Sequence, residues 1–185
     1  MIIFDLDGTL ANCEHRRHFV DRNHPINENR RLSEISLVST PHPDPDPYIW
    51  KPDWKSFYES CDKDLPIKQV IEILINCLLS GRRVEIWSGR CESVREKTMN
   101  WIKSNLYCSY KLRSNQMMED PHLKVKMRPI GDNTPDEVLK EQWLDEELAK
   151  GNKIEYVFDD RPKVIRMWRR RGIFVFNCCQ HEGEF

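Results

Sequence analysis

No stretch of this 185-residue chain stays apolar for more than a handful of residues; Cys77-Leu78-Leu79 is typical. A membrane-crossing helix needs roughly 20 such residues, so a spanning segment is excluded and no membrane partner is expected. Met1 leads straight into Ile2-Ile3-Phe4-Asp5 with no basic stretch, so no secretory leader is read there. An excess of one charge is also missing: 29 Lys and Arg stand against 30 Asp and Glu, a net charge of −1. Nothing in that balance advertises a long nucleic-acid track, and any polyanion contact must be local. The seven cysteines are an odd, scattered set without a CxxC pair, and the six histidines show no HExxH spacing. Reduced thiols in a reducing, cytoplasmic compartment are expected, and zinc is not. Among only seven glycines there is no GxxxxGK[ST], so no nucleoside-triphosphate loop is present in this sequence.

What the chain does have is an aromatic complement of six Trp, seven Phe and five Tyr, too many for a disordered polymer. Its length suits one domain, 1–185, with a buried core. Ile2 to Phe4 reads as a short buried strand stopped by Asp5-Leu-Asp-Gly-Thr9. Residues 11–64 differ in character, with a His/Arg-rich stretch and then Pro41, Pro43, Pro45, Pro47 and Pro52, and read as a cap-like insertion over the core. Trp54, Phe57, Tyr58 and Cys61 fall at helical spacing and would close it. Beyond it, Ile67 to Leu78 is a helix stopped by Gly81, and Arg83 to Trp87 a strand. A weaker helix carries Val94, Trp101 and Ile102, and Leu123 to Met127 is a lysine-protected edge strand. Thr134-Pro135-Asp136-Glu137 reads as a capping box opening a helix that ends at Gly151. Ile154 to Phe158 is a strand, Pro162 to Arg171 a helix, and Ile173 to Phe176 the last strand. Strands alternating with helices predict an α/β three-layer sandwich on a mainly parallel sheet, with ligands beyond the strands' carboxyl ends.

Three strands deliver polar residues to that edge: Asp5 and Asp7, then Ser88-Gly89-Arg90, then Asp159-Asp160. Four carboxylates converging there would repel one another, and the usual remedy is a divalent cation with oxygen ligands, most naturally Mg²⁺. One carboxylate could then attack phosphorus, and another two residues on could protonate the leaving oxygen and later deprotonate water. Ser88 and the Gly89 amide suit phosphoryl oxygens, Lys140 supplies positive charge, and Asp136, one helical turn before it, could hold that ammonium. Each residue also has a plainer reading. Asp5 and Asp7 could be a turn, Asp159-Asp160 a loop pair, and Lys140 an exposed helix face. Arg161 to Arg171 holds six basic residues in eleven, either a phosphate grip or a solvated face. Trp54, Phe57 and Tyr58 could stack on a base or pack the cap onto the core.

The motif order resembles the haloacid dehalogenase superfamily of phosphohydrolases, with Asp5-Leu-Asp-Gly-Thr-Leu10 first, Ser88 second, Lys140 third and Asp159-Asp160 fourth. More narrowly it resembles the 3′-phosphatase domain of bacteriophage polynucleotide kinase-phosphatase. That likeness rests on Trp87-Ser-Gly-Arg90, Arg128-Pro-Ile-Gly-Asp132 before Pro135 to Lys140, Phe158-Asp-Asp-Arg161 and the terminal Gly183-Glu-Phe185. The resemblance implies Asp5 as nucleophile, Asp7 as acid/base lending its carbonyl to Mg²⁺, and Asp159 and Asp160 at the metal. It implies phosphate contacts by Lys140, Ser88, Gly89 and Arg90, and functional roles for Arg16 and Asp136. A Mg²⁺-dependent phosphomonoesterase is thus expected, acting on a phosphorylated nucleic-acid end or nucleotide, in the host cytoplasm if phage-encoded. A 5′(3′)-nucleotidase or small-metabolite phosphatase is the alternative, and a catalytically silent end-binding module a second. No protein partner can be read.

Overall fold

The computed structural model of the chain describes residues 1–28, 50–107 and 123–179. Its centre is strand β1 (Ile2–Phe4), buried along its whole length and hydrogen-bonded in parallel to β4 (Val84–Cys91) on one side and β6 (Tyr156–Asp159) on the other. β5 (Leu123–Arg128) pairs with β4, and β7 (Phe174–Asn177) with β6, giving a five-stranded parallel sheet in the order β5-β4-β1-β6-β7. A separate antiparallel pair, β2 (Ala11–Asn12) with β3 (Leu65–Pro66), joins the two ends of the segment read as an insertion. Residues 29–49, which carry Pro41 to Pro47, lie outside the described residues, as does Gly183-Glu-Phe185.

Alternation along β1 sets up the layers, because successive strand side chains leave opposite faces of a sheet. Ile2 and Phe4 enter one core with Ile71, Leu74, Ile75 and Leu78 of α2 (Lys68–Leu79) and with Trp101 and Ile102 of α3 (Arg95–Ile102). Helix α1 (Trp54–Glu59) precedes these, opened by Asp53, whose carboxylate accepts the Ser56 amide. Ile3 faces the other way, into a core with Leu139, Trp143 and Leu144 of α4 (Asp136–Ala149) and Val164, Ile165, Met167 and Trp168 of α5 (Pro162–Arg170). Each such buried side chain contributes about 1.5–3 kcal/mol relative to exposure. The result is the α/β three-layer sandwich read from the sequence, with helices on both faces and the strand carboxyl ends along one edge.

Two local readings change. β4 does not stop at Trp87: it runs on through Ser88-Gly89-Arg90 to Cys91, and its register against β5 shifts between Ser88 and Cys91. The helix α4 begins at Asp136 with Pro135 as its cap and no side-chain cap bond, so Thr134 is not the capping-box residue. The carbonyl of Thr134 instead receives the Arg128 guanidinium, and the Asp136 carboxylate is taken by two arginines. The Thr134 amide, which the Glu137 carboxylate would accept in such a box, is taken by Asp132 Oδ1 at 2.7 Å.

Candidate active site

β1 and β6 are adjacent and in register, so Asp5, one residue past β1, and Asp159, the last residue of β6, arrive side by side; the Asp5 amide donates to the Phe158 carbonyl at 2.9 Å. Asp160 follows, and carboxylate oxygens of Asp5, Asp159 and Asp160 lie within 4.8 Å of one another, all buried. The chain can leave β1 so tightly because Gly8 has φ +85°, a conformation that L side chains rarely adopt. A Cβ there would also sit 2.0 Å from Asp160 Oδ2. Thr9 Oγ1 donates to Asp160 Oδ1 at 3.2 Å and anchors that carboxylate from the same loop.

Among the described residues, a single ammonium enters this acidic cluster. Lys140, on α4 and buried, donates to Asp5 Oδ1 at 2.6 Å and to Asp159 Oδ2 at 2.8 Å. Trp168 Nε1 and the Arg161 amide complete the shell of Asp159 at 3.3 and 3.1 Å. Three carboxylates against one ammonium leave excess negative charge in a buried place. Burial, with Asp159 and Asp160 beside it, pushes the Asp5 carboxyl well above its ordinary range despite Lys140. Burial and then Asp159 push Asp160 up to about 7. Burial disfavours the charge of Lys140, but Asp159 and Asp5 outweigh it and hold the ammonium above its usual range. Hard, crowded, under-neutralised oxygen donors are the chemistry that fits Mg²⁺, and Asp5, Asp159 and Asp160 are the residues that would hold it.

The Asp7 carboxylate is not part of that cluster. It turns away onto two buried guanidiniums: Arg16 Nη2 and Arg90 Nη2 each lie 2.5 Å from Oδ1, and Arg90 Nε lies 3.1 Å from Oδ2. Burial opposes its charge, yet Arg16 and Arg90 outweigh burial and hold the carboxyl well below the usual range. The expected convergence of four carboxylate side chains is therefore three plus one, because arginines offer Asp7 a better partner than other acids do.

Behind the arginines stands a residue the sequence reading missed. Asp64, fully buried, accepts Arg16 Nε and Nη2 at 2.7 Å each and Arg90 Nη2 at 2.6 Å, with His15 Nε2 at 2.9 Å. Arg16 is further fixed by the Phe57 carbonyl at 3.2 Å and by that residue's ring, 4.0 Å from the guanidinium carbon. Arg16 and Arg90 thus lie under Asp7 and do not line the cavity in front of Asp5, where phosphate contacts were expected. Ser88 is likewise fully buried, its Oγ accepting the Arg90 amide at 3.1 Å, whereas Gly89 lines the cavity. No motif marks Asp64; only its place in an isolated acidic stretch before Pro66 could have drawn notice.

The arginines that do line the cavity are Arg128, to which the sequence reading gave no role, and Arg161, the first of the basic run read as either a phosphate grip or a solvated face. Both are gripped by Asp136, and Arg128 Nε donates to the Gly89 carbonyl at 3.0 Å. Asp136 therefore holds these two arginines and not Lys140, as expected from helical spacing, because Lys140 points inward to Asp5. Gly89 is required here as well, since a Cβ would lie 2.6 Å from Asp136 Oδ1. The rest of the basic helix faces elsewhere: Arg170 and Arg171 pair with Glu141 and Asp145 on α4. Of that run, Arg161 alone lines the cavity among the described residues.

Comparison with known proteins matches this architecture. Residues 53–185 match the family model described as the polynucleotide kinase PNKP phosphatase domain, a span that holds Ser88, Lys140, Asp159 and Asp160. Over all 185 residues the chain is 29% identical to the "Putative bifunctional polynucleotide kinase/RNA ligase" of Autographa californica nuclear polyhedrosis virus, and it spans 20% of that relative's length. Among solved structures, the Pnkp1/Rnl/Hen1 complex aligns with TM-score 0.61 and 23% identity over 98% of this chain and 46% of the other. The haloacid dehalogenase-like hydrolase SP0104 of Streptococcus pneumoniae aligns with TM-score 0.51 and 14% identity, over 95% and 82%. These two likenesses speak to the fold alone.

Proposed function

Because the chain belongs to the polynucleotide kinase PNKP phosphatase domain family, within the haloacid dehalogenase phosphatases, we propose that it is a Mg²⁺-dependent phosphomonoesterase that removes 3′-phosphates from polynucleotide ends. One observation carries this reading: Asp5 shares a cluster with Asp159, Asp160 and Lys140, while Asp7, two residues on, is held apart by arginines.

That separation divides the labour between two carboxylates. An Asp5 oxygen attacks phosphorus, the bond from phosphorus to the ester oxygen breaks, and the leaving oxygen takes a proton from Asp7, giving an aspartyl-phosphate. Water then attacks that phosphorus, Asp7 takes the water's proton, and inorganic phosphate leaves with Asp5 restored. With Arg16 and Arg90 upon it, Asp7 rests as the carboxylate the second half-reaction needs. Asp7 takes up one proton from solvent for the first half-reaction and regains one from the attacking water in the second, so the cycle balances. Lys140 keeps Asp5 aligned and stabilises charge on the phosphoryl oxygens, and Arg128 and Arg161 draw the dianion into the cavity. Mg²⁺ held by Asp5, Asp159 and Asp160 would supply charge neutralisation that the single ammonium does not.

The test is phosphate release, with Mg²⁺ and with chelator, from a 3′-phosphorylated oligonucleotide and from free mononucleotides. Faster release from the oligonucleotide, lost with chelator, is expected. A wide preference for mononucleotides would overturn the polynucleotide assignment in favour of a nucleotidase.

A further inference from the structure

The cavity in front of Asp5 has a volume of 890 Å³. A phosphoryl group fills the space of only a few waters, at about 30 Å³ each, so the cavity has room for much more of the substrate. One wall is helix α1, which presents Trp54 and Tyr58 to the cavity. Tyr58 is locked: its hydroxyl donates to the Gly89 carbonyl at 3.2 Å, tying the helix to the same turn that Arg128 grips. The Trp54 ring stacks on Tyr58, with centroids 5.9 Å apart and an interplanar angle of 29°, and meets Phe57 edge-on at 5.7 Å. Phe57 is buried, with the Arg16 guanidinium over its ring. Trp54 is not buried: 44% of it stays exposed. Arg128 and Arg161 line the same cavity and bring positive charge to it.

An indole backed by a fixed ring and left open on a cavity that also holds the phosphate-attacking group is built to receive a flat, apolar face. We propose that Trp54 is the stacking platform for the nucleobase of the nucleotide that carries the scissile phosphate. This rests on the phosphomonoesterase reading above and adds to it a base-recognising subsite on the cap helix. Stacking is tolerant of base identity because every base has a π-face, so Trp54 would reward the presence of a base without selecting which one. The exposure of Trp54 also means that its truncation leaves the core intact.

The experiment pairs substrates that differ only in the base. Trp54→Ala, Trp54→Phe and wild-type protein are assayed on a 3′-phosphorylated oligonucleotide and on the same oligonucleotide ending in an abasic 3′-phosphorylated residue. Trp54→Ala should lower kcat/KM on the base-bearing end by about 5- to 150-fold, the size of base–aromatic stacking, chiefly through KM. It should leave the abasic end unchanged, and Trp54→Phe should retain most of the wild-type value. Equal losses on both ends, or no loss on either, would overturn the proposal. If wild-type protein prefers mononucleotides, the polynucleotide reading has failed but this one has not. The pair then becomes a nucleoside 5′-monophosphate and ribose 5-phosphate, and the same inequality decides it.

Discussion

Asp64 and Asp7 share the same two arginines: Arg16 Nη2 lies 2.5 Å from Asp7 and 2.7 Å from Asp64, and Arg90 Nη2 lies 2.5 Å from Asp7 and 2.6 Å from Asp64. Two buried positive charges are thus balanced by two carboxylates, one at the site and one behind it. Asp64 also accepts His15 Nε2 and, through its carbonyl, the Trp101 indole, so it ties the chain just before β3 to α3.

Removing Asp64 should therefore act on both stability and chemistry. Asp64→Ala leaves two buried guanidiniums with Asp7 as their single carboxylate, and breaking such a pair costs about 3–5 kcal/mol. Denaturant unfolding measures that loss. Asp64→Asn, gentler on the fold, should slow alkyl phosphates more than p-nitrophenyl phosphate, whose leaving group needs no proton from Asp7. Equal slowing of both esters would mean that Asp64 does not position Asp7.

Lys140→Met should depress turnover and destabilise the metal-free protein, because Asp5, Asp159 and Asp160 lose their ammonium while staying buried. Unfolding in chelator should show a deficit of about 3–5 kcal/mol that Mg²⁺ narrows. Lys140→Arg should not restore activity, since a planar fork cannot replace a compact charge between two carboxylates. A deficit unaffected by Mg²⁺ would separate Lys140 from the metal cluster.

Asp5→Asn should abolish phosphate release, by on the order of 10⁴-fold or more, as expected for a nucleophile. Equilibrium binding of a 3′-phosphorylated oligonucleotide, measured by fluorescence anisotropy, should persist, because Arg128 and Arg161 are untouched. Residual turnover near the wild-type rate would transfer the nucleophile's role elsewhere.

Stability should depend on pH and Mg²⁺ together. The Asp160 carboxyl is raised in the fold from its ordinary 3.8 to about 7. The folded state then binds more protons than the unfolded state between those values, so the metal-free protein loses stability as pH rises through that window. Asp7 has the opposite sign: its depressed value adds stability above the ordinary carboxylate range, lost as pH falls below it. Mg²⁺ must displace the Asp160 proton at low pH and meets a free carboxylate at high pH. Thermal melts in chelator and in Mg²⁺ should show a larger metal increment at about pH 8 than at about pH 5. Equal increments would exclude Asp160 from the metal site.

Much of the fold is legible because its signals are local. The short apolar run Ile2 to Phe4, helical spacing from Ile67 to Leu78, and Pro162 with Gly172 bracketing α5 each depend on neighbours a few residues away. The readings that changed are those where a distant group outcompeted a near one. Asp136 was drawn from Lys140 to Arg128 and Arg161. Of the two readings left open for the basic run, Arg170 and Arg171 do not follow the phosphate grip: they pair with Glu141 and Asp145.

What the sequence by itself determined is the layered sheet and the residue types at its carboxyl edge: Asp5, Asp7, Ser88, Lys140, Asp159 and Asp160 in motif order. The tertiary structure alone decided how those charges pair. It brought Lys140 onto Asp5 across 135 positions, kept Asp7 out of the acidic cluster, and put Asp64 behind the arginines that hold it. The physical reason is range. Periodicity and turn chemistry act between near neighbours and leave a pattern in the chain, whereas a buried charge takes whichever partner folding places within about 3 Å, which no spacing rule encodes.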